Sequence, residues 1–207
     1  MDTAVNAIEQ YNTIDHNDPM VSRILESAEQ CIERYGIRRT SMGEVARVAS
    51  VSRGSVYRYF DDKDALVAGV FSRRQTEYLN RTESALEKLD SLVDKITESV
   101  MAARRDMREG FFARLSETEP ETVSMMFLDA GFYQRSVAFW PPHIEAAKER
   151  GEISPKVPTD VATDFVMRLS VSLVTFTDMG KSLASRAEVK RYLAQVVTAG
   201  LGSKSIS

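Results

Sequence analysis

The sequence is poor in the residues on which most enzyme chemistry is built, with one cysteine and two histidines in 207 residues. Cys31 alone forms no intrachain disulfide, and its place on an apolar helical stripe makes it a small buried hydrophobe. No Cys/His set has metal-ligand spacing, and neither a Gly-x-Ser-x-Gly nucleophile elbow nor a phosphate-cradling glycine loop occurs. His16 falls in a polar N-terminal stretch, and His143, beside Pro141 and Pro142, reads as a capping or surface group. No enzyme, cofactor or metal is expected on these grounds. Long apolar runs are missing too. The longest, Phe165 to Phe176, is interrupted by Arg168 and is too short to cross a bilayer, and the chain starts without a basic-then-apolar export signal. The expectation is a cytoplasmic protein without a membrane partner. Period-two alternation, internal repeats and low-complexity tracts are also absent, which leaves an all-α chain as the expected fold class.

What is present is ordinary for a folded chain, 43% hydrophobic and 28% charged, so disorder throughout is excluded. The net charge of −3 is unevenly spread. Between Arg34 and Phe60, six arginines (34, 38, 39, 47, 53 and 58) face a single acid, Glu44, whereas the first nineteen residues hold four acids and no lysine or arginine. A short basic segment in an acidic chain points to one local anion-binding surface.

Residues 1–17 read as a flexible tail. Asp18-Pro19 starts a helix, because aspartate can accept an orphan amide hydrogen and proline at the first position loses no bond. Val21, Ile24, Leu25, Ala28, Ile32 and Tyr35 share one face, and Gly36 stands where a left-handed cap is needed. Ser41-x-x-Glu44 is a capping box for a second helix from Met42. Ser52 caps a third, and Asp61-Asp62 a fourth that runs from Lys63 to about Leu89 as a connecting helix. Further helices are expected at Leu92–Met107, Glu121–Phe139, Pro142–Arg150, Asp160–Asp178 and Arg186–Leu201, with a break at Gly180 among others.

The second and third helices, separated by Ser50 and Val51, have the needs of a helix-turn-helix: a tight turn, an apolar anchor in Val56, and polar groups at the exposed start of the second member in Ser52, Arg53 and Ser55. Arg53 can reach guanine bidentately, Ser55 can donate to a base or phosphate, and Gly54 admits close approach of the backbone. Tyr57, Tyr59 and Lys63 have the chemistry of phosphate contacts.

The string Thr40-Ser41-Met42-Gly43-Glu44-Val45-Ala46, followed by Ala49 to Phe60 and Asp62-Lys63-Asp64-Ala65-Leu66, resembles the signature of the tetracycline-repressor (TetR) family. The resemblance implies a three-helix DNA-binding domain over 18–62 and a larger helical ligand-binding and dimerisation domain over 63–207. It implies that Ser41, Tyr57 and Lys63 hold phosphates, and that Met42, Arg53, Gly54, Ser55, Arg58 and Tyr59 lie where the family reads bases or sugar edges; Thr40 and Ser52 complete the candidate set. Glycine is usual in the turn where this chain has Ser50, and a positive φ there would cost on the order of 1 kcal/mol.

Phe165 to Phe176 is apolar or small nearly all round and needs cover on more than one side. Phe165, Leu169, Ser172, Leu173 and Phe176, with Val189, Tyr192, Leu193 and Val196 of the next helix, are the candidate dimer interface, and related repressors pair their last two long helices into a four-helix bundle. A helix buried in a monomer's core is the rival reading. The family also implies a small-molecule cavity. Phe111, Met126, Phe132, Phe139, Trp140 and Phe176 are its candidate apolar lining, and Arg114, Gln134 and His143 its polar anchors. The expected function is a sequence-specific repressor released from a palindromic double-stranded operator by a small hydrophobic effector, acting as a homodimer. An activator with the same reader, and a helical module binding an acidic protein, remain alternatives.

Overall fold

The computed structural model describes residues 18–126, 130–176 and 183–202. The expected tail over 1–17 and the break at Gly180 lie outside them, and the helix expected to run to Asp178 ends at Thr175, with Phe176 already out of helical conformation. Eleven helices make up about 79% of the described residues, and no strand occurs among these. None of the helices is long and apolar enough to cross a membrane.

Helix α1 (Pro19–Tyr35) begins as its sequence dictates. Asp18 Oδ1 accepts the Met20 amide hydrogen at 2.7 Å, and proline follows at the first helical position. Val21, Ile24, Leu25, Ala28, Cys31 and Ile32 are buried along one stripe, while Tyr35, expected on it, is exposed. The helix stops at Gly36, whose φ of 77° is positive as expected but whose ψ of 165° puts it in the extended mirror region rather than the left-handed helical one. That region is essentially glycine's alone.

Helix α2 (Met42–Val48) is capped by Ser41, whose Oγ accepts from the Glu44 amide at 3.2 Å. The reciprocal half of the expected capping box is replaced: Glu44 turns its two carboxylate oxygens to Arg47, at 2.8 and 3.1 Å. In the turn, Ser50 takes φ 55°, the left-handed value that glycine would adopt freely. Helix α3 (Arg53–Tyr59) starts at Ser52, whose Oγ accepts from the Ser55 amide at 3.0 Å. Asp62 Oδ1 accepts from the Ala65 amide at 2.8 Å to open α4 (Lys63–Leu86), which ends three residues before the expected Leu89.

Beyond it lie α5 (Leu92–Arg108), α6 (Phe111–Thr118), α7 (Pro120–Met126), α8 (Ala130–Phe139), α9 (Pro141–Glu149), α10 (Thr159–Thr175) and α11 (Arg186–Leu201). The helix expected over Glu121–Phe139 is seen on both sides of residues 127–129, which lie outside the described ones, as α7 and α8. One element, α6, was not expected at all. It starts at Gly110 with no side-chain cap, so no local start signal marks it.

The described residues form two compact units. The first joins 18–77 with 109–126, and so groups α6, α7 and the first part of α4 with α1, α2 and α3. Its centre holds Ile24, Val45, Val56, Phe60, Leu66 and Phe111, all at most 1% exposed. The second joins 78–108 with 130–202. Here α10 and α11 pack on α5, and α9 on α10, around Leu92, Ile96, Ile144, Val166 and Leu193. Each such side chain contributes about 1.5–3 kcal/mol through water exclusion.

Candidate nucleic-acid interface

In the first unit, α3 is anchored by its inner face and offers the rest. Val56 is fully buried and Phe60 closes the helix from below, while Ser52, Arg53, Gly54, Tyr57 and Arg58 are exposed and Ser55 is half-buried. Ser52 Oγ lies 2.8 Å from Ser55 Oγ, so both hydroxyls stand together at the helix start. These hydroxyls and the exposed Arg53 make one polar, cationic edge, the arrangement needed for phosphates and base edges in a major groove. The Arg53 side chain lies over Gly43 of α2, where an added Cβ would stand 3.3 Å from its Nε. Ser41, at the start of α2, is exposed as well.

Four candidates are placed differently. Thr40 is buried and its hydroxyl donates to the Gly36 carbonyl at 2.8 Å, and Met42 is buried in the core, so neither faces solvent. Tyr59 is half-buried, and its hydroxyl donates to Asp18 Oδ2 at 2.9 Å. That bond raises the Tyr59 phenol above its ordinary pKa; the Met20 amide and the Tyr59 hydroxyl together hold the Asp18 carboxyl below its own. Lys63 donates from Nζ to the Ile37 carbonyl at 3.3 Å. Tyr59 and Lys63 therefore brace the reader through their polar tips.

A second brace was not legible in the sequence. Glu119, buried between α6 and α7, accepts the Arg38 amide hydrogen at 3.0 Å. It pins the turn between α1 and α2, where Arg38 and Arg39 are exposed. The partners are 81 residues apart, so no local pattern could show them.

Residues 24–70 match the description "Bacterial regulatory proteins, tetR family". That segment, the helix-turn-helix with the helices on either side of it, is what this chain shares with the tetR family. Among curated relatives it is similar to the HTH-type transcriptional regulator UidR of Escherichia coli, 21% identical over 192 residues that cover 87% of this chain and 94% of UidR. Among solved structures it resembles the fatty acid degradation regulator FadR from Bacillus halodurans, with TM-score 0.60, 16% identity, and coverage of 90% and 98%. It also resembles SmeT, the repressor of the Stenotrophomonas maltophilia multidrug efflux pump SmeDEF, in its triclosan complex, with TM-score 0.55, 16% identity, and coverage of 91% and 94%. These structural likenesses establish the fold: an N-terminal helix-turn-helix followed by a helical part. The chain is thus a DNA-binding transcriptional regulator with a tetR-type helix-turn-helix in residues 24–70.

The second unit of the regulator holds a cavity of about 70 Å³. Of the residues expected to line a ligand site, Phe132, Phe139 and Trp140 meet there. Phe111 and Arg114 do not, since both belong to the first unit. Phe111 packs edge-on against Phe71 and Phe112, and Arg114 is ion-paired with Glu33 at 2.5 Å. Gln134 and Phe176 are exposed and are not among the residues that line the cavity. The side chain of Met126, and Phe127 as a whole, lie outside what is described. His143 is neither a helix cap nor a surface group but buried, with Nε2 3.0 Å from Glu83 Oε2 and its ring against Phe139 and Trp140. Tyr78, Ser99, Met167 and Ser170 line the cavity and were not singled out. For Ser170 a signal existed, since it shares the helical face of Val166, Met167 and Leu173.

The candidate dimer residues divide between two faces. Leu173, Val189 and Leu193 are buried in the unit's own core and are removed from the set. Phe165, Leu169, Tyr192 and Val196 are half-buried, while Ser172 and Phe176 are exposed and follow Phe165 and Leu169 along one stripe.

Proposed function

We propose that this regulator is a repressor that binds a palindromic operator as a homodimer through paired α3 helices and leaves it when a small apolar molecule fills the second unit's cavity. The observation that carries the reading is the serine-capped start of α3, which is exposed where a groove-reading helix must be and anchored where it must not move. Arg53, Gly54 and Ser55 are assigned to base edges, and Ser41, Ser52, Tyr57 and Arg58 to phosphate and sugar. Lys63 and Tyr59 support that surface from behind.

The dimer face is assigned to Phe165, Leu169, Ser172 and Phe176 of α10 and its end, with Tyr192 and Val196 of α11. An apolar stripe left open on the last two long helices suits a second copy, because two short recognition helices span two half-sites that one cannot. The effector assignment is supported by the uncharged aromatic cavity and by SmeT, whose solved structure is a triclosan complex. Release follows if the effector prefers the conformer with mis-spaced readers, by its differential affinity for the two states.

Selection of bound sequences from a random duplex pool tests the whole reading. A palindrome is expected, and Arg53→Ala should relax preference at one base in each half-site by about 10- to 100-fold. Selection that yields no two-fold motif, or an Arg53→Ala protein with unchanged preference, overturns it.

A further inference from the structure

The cavity in the second unit has a distinctive polar signature. Every residue that lines it is uncharged, and most are apolar or aromatic. One wall residue, Ser170, is 9% exposed, and its Oγ has no hydrogen-bond partner among the described residues. A helical serine ordinarily returns its hydroxyl to the preceding turn, as Thr97 does to Val93 O and Thr175 to Val171 O. Ser170 leaves that bond unmade, so rotation about its first side-chain bond turns a hydroxyl to the cavity at no cost in lost partners. The other polar groups are engaged. Tyr78 donates to the Ser99 carbonyl at 2.9 Å, and burial keeps its phenol neutral well above physiological pH. The buried cation on the same helix as Ser99, Arg104, binds the carbonyls of Leu173 and Leu183.

We infer that the cavity takes a neutral, mainly apolar molecule no larger than one ring, carrying a single hydroxyl or carbonyl that hydrogen-bonds Ser170. This rests on the proposed effector role of the cavity and narrows its chemistry. A carboxylate would lie against uncharged walls with no counter-ion and would lose its hydration uncompensated, whereas a hydroxyl needs only the one partner that Ser170 supplies. Size follows from volume. At about 70 Å³ the space is roughly half of a cavity known to hold benzene, so one ring fits if Met167 and its aromatic neighbours give way slightly.

Trp140, the only tryptophan, is part of the wall and reports occupancy independently of DNA. Full-length protein is titrated with cyclohexanol and with cyclohexanecarboxylate at neutral pH, neither of which absorbs where tryptophan does. Cyclohexanol should shift Trp140 emission saturably, and the carboxylate should bind at least about tenfold more weakly. Ser170→Ala should weaken cyclohexanol about tenfold while Ser170→Thr, which keeps a hydroxyl, holds near wild type; thermal midpoints of both variants verify folding. A carboxylate that binds equally well, no saturable response to cyclohexanol, or an unaffected Ser170→Ala overturns the inference. Operator binding is followed in the same titration. Saturation of Trp140 with the operator still bound upholds the ligand chemistry and overturns release as the mechanism.

Discussion

The two units solve opposite problems. The first is cross-tied by directional polar bonds between residues distant in sequence: Asp18 to Tyr59, Arg38 to Glu119, Lys63 to Ile37, and Arg74 to Glu29 at 2.9 Å. The second has such ties as well, from Arg104 to the Leu173 and Leu183 carbonyls and from His143 to Glu83, but it also holds a cavity with uncharged walls and one unpartnered hydroxyl among them. A DNA reader needs side chains held to fractions of an ångström, which bonds with fixed geometry provide. A unit that admits a ligand must repack, and contacts without direction allow it. The difference therefore lies around the two sites: polar ties hold the reader, and uncharged walls surround the cavity.

The largest test of that contrast is to empty each core in turn. Phe60→Ala removes a fully buried ring from the first unit and should cost about 3–5 kcal/mol; Leu193→Ala does the same in the second for about 2–5 kcal/mol. Far-ultraviolet dichroism reads both units, but Trp140 fluorescence reads only the second. Phe60→Ala is expected to shift part of the dichroism transition in urea and leave the fluorescence transition in place, whereas Leu193→Ala should move the latter. If both probes shift together for both variants, the units unfold as one and the contrast fails energetically.

Gly36→Ala asks a narrower question about the cross-ties. Alanine at φ 77° is strained, and its Cβ would meet Glu119 Oε1 at 2.9 Å, the atom that accepts the Arg38 amide. A loss of about 1–3 kcal/mol is expected, accompanied by weaker operator binding because the α1–α2 turn is released. An alanine variant as stable as wild type would mean the turn is not held as described. Ser50→Gly works in the other direction. It relieves a left-handed serine and should stabilise the protein by about 1 kcal/mol in the same denaturation assay, with base preference unchanged. No gain, or a loss, would assign the strain elsewhere.

These sites also mark the limits of what the sequence revealed. The first three helices were legible because each starts with a side chain that caps its own first turn: Asp18, Ser41 and Ser52 act within three residues of themselves. The strain at Ser50 was legible for a similar reason, as a turn of fixed length demands a particular φ. Helix α6 was not, since it lacks a side-chain cap and is held by partners such as Glu33 and Phe71 far away in sequence. In the dimer and ligand sets, periodicity identified which positions are apolar but not which side each apolar residue faces. α10 is hydrophobic nearly all round, so Leu173 and Leu169 looked equivalent although one is buried and the other half-buried. Phe111 was drawn toward the cavity by its chemistry alone, and only tertiary contacts assign it to the other unit.

The smallest effect expected concerns Asp18, which joins the start of α1 to the end of α3. The Met20 amide and the Tyr59 hydroxyl both donate to its carboxylate and hold its pKa below the ordinary aspartate value. A depressed carboxyl contributes stability that is present above its unfolded pKa and is lost as pH falls through the folded one. Asp18→Asn keeps an oxygen for the cap but carries no charge, so its contribution is independent of pH. The difference in thermal midpoint between wild type and Asp18→Asn should therefore be constant from about pH 6 to pH 8 and shrink as pH drops below about 4. Solvent near the carboxylate keeps that difference small. Tyr59→Phe removes one of the two donors and should shrink the difference without abolishing it, since the Met20 amide remains. Two curves that run parallel down to pH 2 would show that the charge of Asp18 does nothing for the fold, leaving it a plain helix cap and the tie to Tyr59 without energetic weight.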